Sequence, residues 1–199
     1  MQPRTAPVGD SLIGALFYHG RHFSTASVVH PGVVLTAAHS VTAKTISGIT
    51  FAPGWGTPAA GPEFACLRAH TTAAWQASRD IDDDFALVKL AGGAEAMTGS
   101  LRIKIGVGQE QPSVTVTGYP DGLAHPITGT SSTSAFGANQ MRWAFPGYTD
   151  GTSGSPFMIG STVIGALGGY QQGGDSPNVS YAACFRENMA ALMREAGLP

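Results

Sequence analysis

Ser153 stands in the stretch "YTDGTSGSPF", residues 148–157, between small residues and close to a proline. A serine hydroxyl is a poor nucleophile until a neighbouring base takes its proton. That base is usually a histidine, held in one tautomer by a carboxylate. Glycine beside the serine lets backbone N–H groups approach an oxyanion closely, and Gly151 and Ser153 would supply that pair. The same small residues suit an ordinary turn, so the stretch alone leaves both readings open.

All six histidines, His19, His22, His30, His39, His70 and His125, precede Ser153. That order excludes the α/β-hydrolase arrangement, in which serine comes first, and Ser155 and Pro156 replace the end of a G-x-S-x-G elbow. The orders His…Asp…Ser and Asp…His…Ser remain. His39, in "VVLTAAHS", ends an apolar run that would seat its imidazole on a rigid edge. His19, His22, His30 and His125 read as histidines of solvated turns, and His70 as a surface residue at a strand end. "HGRH" lacks further ligands nearby, so no metal site is expected. Asp80, Asp82, Asp83 and Asp84 cluster in "RDIDDDFALVKL". The first three read as an acidic loop in solvent. Asp84 opens an apolar run that would carry its carboxylate inward, where the His39 imidazole is a suitable partner.

The elements that must position these groups are mostly strands. Short apolar or alternating runs bounded by Gly and Pro occur at 12–18, 24–30, 33–36, 46–52, 63–70, 84–90, 101–107, 113–118, 140–145, 156–159, 162–168 and 178–184. Their spacing and β-branched content predict an all-β sandwich or barrel. One helix is predicted, at the end: Phe185, Met189, Leu192, Met193 and Ala196 form a single stripe, with Gly197 as its stop. A helix-rich Asp…His…Ser architecture does not fit this pattern. Residues 89–100, "KLAGGAEAMTGS", read as a linker between two β halves.

Composition narrows the function classes. Charged residues make up 12% of the 199, about half the usual quarter. The net charge of −2 and the absence of any Lys/Arg run give no electrostatic reason to expect nucleic acid. No apolar stretch approaches the roughly 18 residues of a membrane span. "MQPRTAPVGD" has no apolar signal core. Cys66 and Cys184 make neither a disulfide framework nor a zinc cluster and read as two buried free thiols.

"TAAHS", "DDDFALV" and "GTSGSPF" resemble, in order and setting, the signature segments of trypsin-like, chymotrypsin-fold serine proteases. "VTVTGYPDG" and "VIGALGGYQQGGDSPNVSY" extend the likeness, which is closest to actinobacterial trypsin-like peptidases and more distant to V8-like and streptogrisin-like ones. The resemblance implies two six-stranded antiparallel β-barrels packed together, over 8–100 and 101–184, with a C-terminal α-helix at 185–197. It implies that Ser153 attacks the scissile carbonyl, His39 acts as base and then acid, Asp84 orients His39, and the Gly151 and Ser153 amides form the oxyanion hole. The expected partner is a polypeptide substrate. No cofactor, nucleic acid or membrane is expected, and the expected state is a monomer. The rival expectations are a silent protease-like binding module and an esterase-like acyl hydrolase.

The chain departs from the family pattern at three places. Secreted relatives often carry a cysteine pair flanking the catalytic histidine; here the positions are Ser24 and Ser40. The family implies a secreted protein, whereas the unpaired cysteines and missing signal core also fit the cytoplasm. Thr152 precedes the nucleophile where pancreatic enzymes carry the aspartate that receives a freed N-terminus, so no such activation switch is expected. The resemblance places the specificity pocket at Gly147, Tyr148 and Thr149, with Gly168 and Gly169 facing them. No carboxylate stands at Gly147 and no histidine in "ALGG", which makes a neutral, partly apolar pocket the expectation, with Asp150 close by.

Overall fold

A computed structural model describes residues 12–97, 99–174 and 176–199. Strands β1 (Ile13–Tyr18) and β2 (Arg21–His30) form a hairpin closed by His19 and Gly20, both at positive φ (50° and 79°). Two left-handed residues match the twist of the flanking strands in so short a loop. Strand β3 (Val33–Thr36) runs into a short helix, α1 (Ala38–Thr42). Then come β4 (Ile49–Pro53), β5 (Phe64–Thr71), helix α2 (Ala73–Ser78) and β6 (Ala86–Leu90). These six strands close into a barrel in the order β1-β2-β3-β6-β5-β4. Its interior is filled by Leu16, Leu35, Phe51, Phe85 and Leu87, all fully buried.

The second half contains β7 (Arg102–Ile103), β8 (Val114–Gly118), β9 (Ile127–Ser131), β10 (Thr133–Phe136), β11 (Gln140–Ala144), β12 (Pro156–Ile159), β13 (Thr162–Leu167) and β14 (Val179–Cys184). They form one eight-stranded sheet, ordered β10-β11-β14-β13-β12-β8-β9, with β7 paired parallel to β13. A second core, including Val116, Met141, Trp143, Phe157 and Ile164, fills its concave side. Helix α3 (Glu187–Glu195) buries Met189 and Leu192 against the first core. It ends at Gly197 (φ 77°), where Gly197 N–H donates to Arg194 O and Leu198 N–H to Met193 O. This pair of bonds satisfies the last carbonyls in a left-handed glycine cap.

The two-barrel expectation holds for the fold, with a correction in the second half. Its ladder is an open sheet, not a closed six-stranded barrel. Yet its two edge strands, β9 and β10, are separated only by Ser132, so one bent segment supplies both edges. Neither strand was expected from the sequence. The run at 101–107 pairs over only Arg102–Ile103, and 46–48 is a 3-10 turn, so β4 begins at Ile49. Helices α1 and α2 were also not expected. Both are shorter than two turns, too short for a 3.6-residue stripe to show.

The two halves meet through hydrogen-bonded polar groups as well as through apolar packing. Phe85 of the first half meets Phe185 edge to face, with centroids 5.3 Å apart. Thr25 N–H donates to Ser153 O (2.9 Å), and Thr25 Oγ1 donates to Gly151 O (3.0 Å). Tyr119 N–H in turn donates to Thr25 Oγ1 (2.9 Å).

Candidate active site

His39 lies in the first turn of α1, directly after the buried strand β3, rather than on a strand end as expected. Asp84 follows the 3-10 turn Ile81–Asp83 and precedes β6, so it closes a turn and does not open a strand. Ser153 lies on the loop between β11 and β12. The fold joins them into one line. His39 Nδ1 is 2.6 Å from Asp84 Oδ2, and His39 Nε2 is 3.0 Å from Ser153 Oγ. A buried carboxylate only accepts, so Nδ1 carries the proton and Nε2 is left to accept from the Ser153 hydroxyl.

Asp84 is 1% exposed, which would be costly for an unpaired carboxylate. Three donors converge on it. The backbone N–H of His39 donates to Oδ1 (2.8 Å), and the N–H of Gly169 to Oδ2 (2.7 Å) alongside the imidazole. Gly168 lets this happen: a Cβ there would lie 2.8 Å from Oδ2. His39 keeps its side chain 14% exposed, open enough to meet a substrate.

The serine loop is held against the first barrel. Gly154 is so close to β2 and β3 that a Cβ would fall 2.3 Å from both Thr25 O and Thr36 Oγ1. The Ser24 hydroxyl is shared between Ser40 Oγ at 2.9 Å and Ser153 O at 2.8 Å. Gly151 takes φ 88°, and a Cβ there would meet His22, Tyr119 O and Asp121 N within 2.8 Å. Within the loop, the amides of Thr152, Gly154 and Ser155 donate to Thr149, Leu167 and Thr152 carbonyls. The Gly151 and Ser153 amides have no protein acceptor among the described residues. Thr152, 1% exposed, turns its hydroxyl onto Thr149 O (2.6 Å).

A cavity of about 370 Å³ adjoins Ser153, lined on one side by Tyr148, Thr149, Asp150 and Thr152 and on the other by Gln171 to Gly174, Ser176 and Pro177. Of the five expected pocket positions, Tyr148 and Thr149 line it. Gly147, Gly168 and Gly169 do not; the last two abut Asp84 and Gln140 instead. Tyr148 is anchored behind the cavity by its hydroxyl, which donates to Val116 O (2.6 Å), and burial pushes its phenol pKa up. Gln171 and Gln172, at φ 50° and 56°, form a wall that was not expected.

Several side chains expected in solvent are packed against the protein instead. His22 is half-buried against the Gly151 loop, where desolvation lowers its pKa against the pull of its Ser24 carbonyl bond and of Asp121. His70 is buried, with Nδ1 3.7 Å from Glu195 Oε1. Asp82 and Asp83 are not loop residues in solvent: Asp82 Oδ1 accepts from Gln140 Nε2, and buried Asp83 accepts from Asn188 Nδ2. Cys66 and Cys184 are buried free thiols, as expected. Thr25 and Ser24, which dock the nucleophile loop, were missed as docking residues.

Two β sheets meeting at a cleft, with an acid, an imidazole and a hydroxyl in line across it, define a chymotrypsin-fold serine hydrolase. Comparison with known proteins agrees: the trypsin family model matches residues 4–188, and the chain belongs to that family, that of trypsin-like serine endopeptidases. Among solved structures it is similar to the thermostable serine protease AL20 from an extremophilic microorganism, at 19% identity over 96% of this chain and 98% of that one, TM-score 0.80. It is also similar to a Glu endopeptidase, at 15% identity over 95% and 91% of the two chains, TM-score 0.79. Protease Anisep from Arthrobacter nicotinovorans gives 16% identity over 94% and 95%, TM-score 0.78. At these identities the likeness is one of fold. By sequence, no curated protein matches the chain.

Proposed function

We propose that Ser153, His39 and Asp84 act as the catalytic triad of an active endopeptidase. The observation that carries this is the continuous line from Asp84 Oδ2 through His39 to Ser153 Oγ, at 2.6 and 3.0 Å, beside two undonated amides. His39 Nε2 takes the Ser153 proton as Oγ attacks the scissile carbonyl. The Gly151 and Ser153 N–H groups hold the oxyanion that develops. His39 then gives the proton to the leaving amine, and water, activated by the same nitrogen, releases the acyl group from Ser153. Asp84 keeps the imidazole in the tautomer this requires.

The cavity beside Ser153 takes the side chain on the acyl side of the scissile bond. Its described walls present hydroxyls and amides from Thr149, Gln171, Gln172 and Ser176, with Asp150 exposed at the rim. These groups favour an uncharged residue that accepts or donates hydrogen bonds. A silent binding module of the same fold would not need two amides left open beside an aligned serine.

Profiling cleavage of a peptide library tests both statements. The wild type should cut after neutral residues, with Lys and Arg disfavoured. Ser153→Ala and His39→Ala should each lose about a million-fold in kcat. A folded wild type that cuts nothing would overturn the reading.

A further inference from the structure

We propose that Gln140 is a positioning residue for the acid–imidazole pair. It clamps together the two chain segments that hold Asp84. This rests on the reading of Asp84 as the orienting acid.

Gln140 is the first residue of β11, in the second sheet, yet its side chain reaches the first half of the molecule. It is 1% exposed. Its Nε2 donates to Ile81 O (2.6 Å) and to Asp82 Oδ1 (3.1 Å), and its Oε1 accepts from Tyr170 N–H (3.0 Å). The partners fix the amide's orientation, because a backbone N–H only donates and a carbonyl only accepts. Both Nε2 protons are used, so all the amide's donors are satisfied in a buried site. Such a network is costly to leave half made.

The partners flank the carboxylate on both sides. Ile81 and Asp82 belong to the 3-10 turn that delivers Asp84. Tyr170 follows Gly169, whose N–H donates to Asp84 Oδ2. A single side chain therefore ties the segment that carries the acid to the segment that solvates it. Gly169 makes room for it: a Cβ there would fall 2.4 Å from the Gln140 amide atoms. Without the clamp, the bond from Gly169 N–H to the Asp84 carboxylate loses the side chain that ties its two segments together. The imidazole then loses its fixed tilt toward Ser153. Misplacing a reacting group by about 1 Å can cost about a hundredfold in rate.

The test compares Gln140→Leu, Gln140→Glu and Gln140→Glu with Asp82→Asn. Rates are expressed per active site titrated with a fluorophosphonate, so that a smaller folded fraction does not count. Gln140→Glu places a carboxylate against the Ile81 carbonyl and the Asp82 carboxylate; the added Asp82→Asn restores a donor–acceptor pair. We expect Gln140→Leu and Gln140→Glu to lose about ten- to a hundredfold in kcat. The low-field proton resonance of the His39–Asp84 bond should move or vanish, and the acid limb of the kcat/KM profile should shift. The double variant should recover much of the kcat. If Gln140→Leu does not fold, the two Glu variants decide alone. Unchanged kcat per titrated site with an intact low-field resonance would overturn the proposal. So would a loss confined to KM, or a double variant no better than Gln140→Glu. A wild type that fails to turn over would instead overturn the triad reading.

Discussion

The Ser24 and Ser40 hydroxyls meet at 2.9 Å, both buried, one on β2 and the other in the helix that carries His39. A hydrogen bond therefore joins the two segments where secreted relatives often have a covalent link. A pair of sulfur atoms would bring this contact to bonding distance. Ser24→Cys with Ser40→Cys should form a disulfide across a separation of 16 residues and stabilise the oxidised form by about 3 kcal/mol over the reduced one. Urea denaturation with and without reductant measures this. Identical curves for protein shown to be oxidised would refute it.

Gly168 has no room for a side chain, because a Cβ would press on Asp84 Oδ2 at 2.8 Å. Gly168→Ala should lower kcat/KM by about a hundredfold by displacing the carboxylate. Gly92, whose Cβ would meet nothing within 4 Å, supplies the control. Gly92→Ala should leave the rate unchanged. Equal rates for the two variants would show that Asp84 tolerates the intrusion.

Burial pushes the Cys66 thiol to about 12 and the Cys184 thiol to about 11. Thiolate is the reactive form, so both should resist a disulfide reagent at neutral pH in the native state. Unfolding in guanidinium should release two reactive thiols. Rapid modification of the native protein would contradict the buried placement.

His22 has its pKa lowered from the ordinary 6.5, mainly by burial. Below pH 6.5 the unfolded chain therefore binds a proton that the native protein refuses. By linkage, the contribution of neutral His22 is present above pH 6.5 and is lost as pH falls below it toward the depressed native value. His22→Phe keeps an aromatic ring against Phe17 and Trp55 but cannot titrate. Its stability should fall less than that of the wild type between about pH 7 and pH 5. Parallel profiles would remove His22 from the acid response.

The parts of the site that were legible in the sequence are those packed into short motifs. His39, Asp84 and Ser153 each sit among a few diagnostic neighbours, and the glycines of the serine loop declare a backbone that must come close to something. The parts that were hidden depend on partners far away in sequence. Thr25 looks like a solvent-facing strand residue until Gly151, 126 positions on, comes to accept its hydroxyl. Gln140 looks like the polar start of a strand until the turn at Ile81 and Asp82 arrives against it. Strands β9 and β10 lie in "ITGTSSTSAF", whose Ser, Thr and Gly read as loop. The pairing of β9 with β8 shows in two cross-strand hydroxyl contacts of 2.9 Å, Thr115 with Thr130 and Thr117 with Thr128, while β10 pairs with β11. The pocket wall at Gln171–Gln172 is set by backbone angles that side-chain identity does not announce.

Intact-mass analysis after exposure to a fluorophosphonate tests whether a base assembled from the first half activates a hydroxyl in the second. The wild type should carry one adduct, mapped to Ser153, absent in Ser153→Ala and strongly slowed in His39→Ala. No adduct on folded wild-type protein, or an adduct that survives in Ser153→Ala, would contradict such activation.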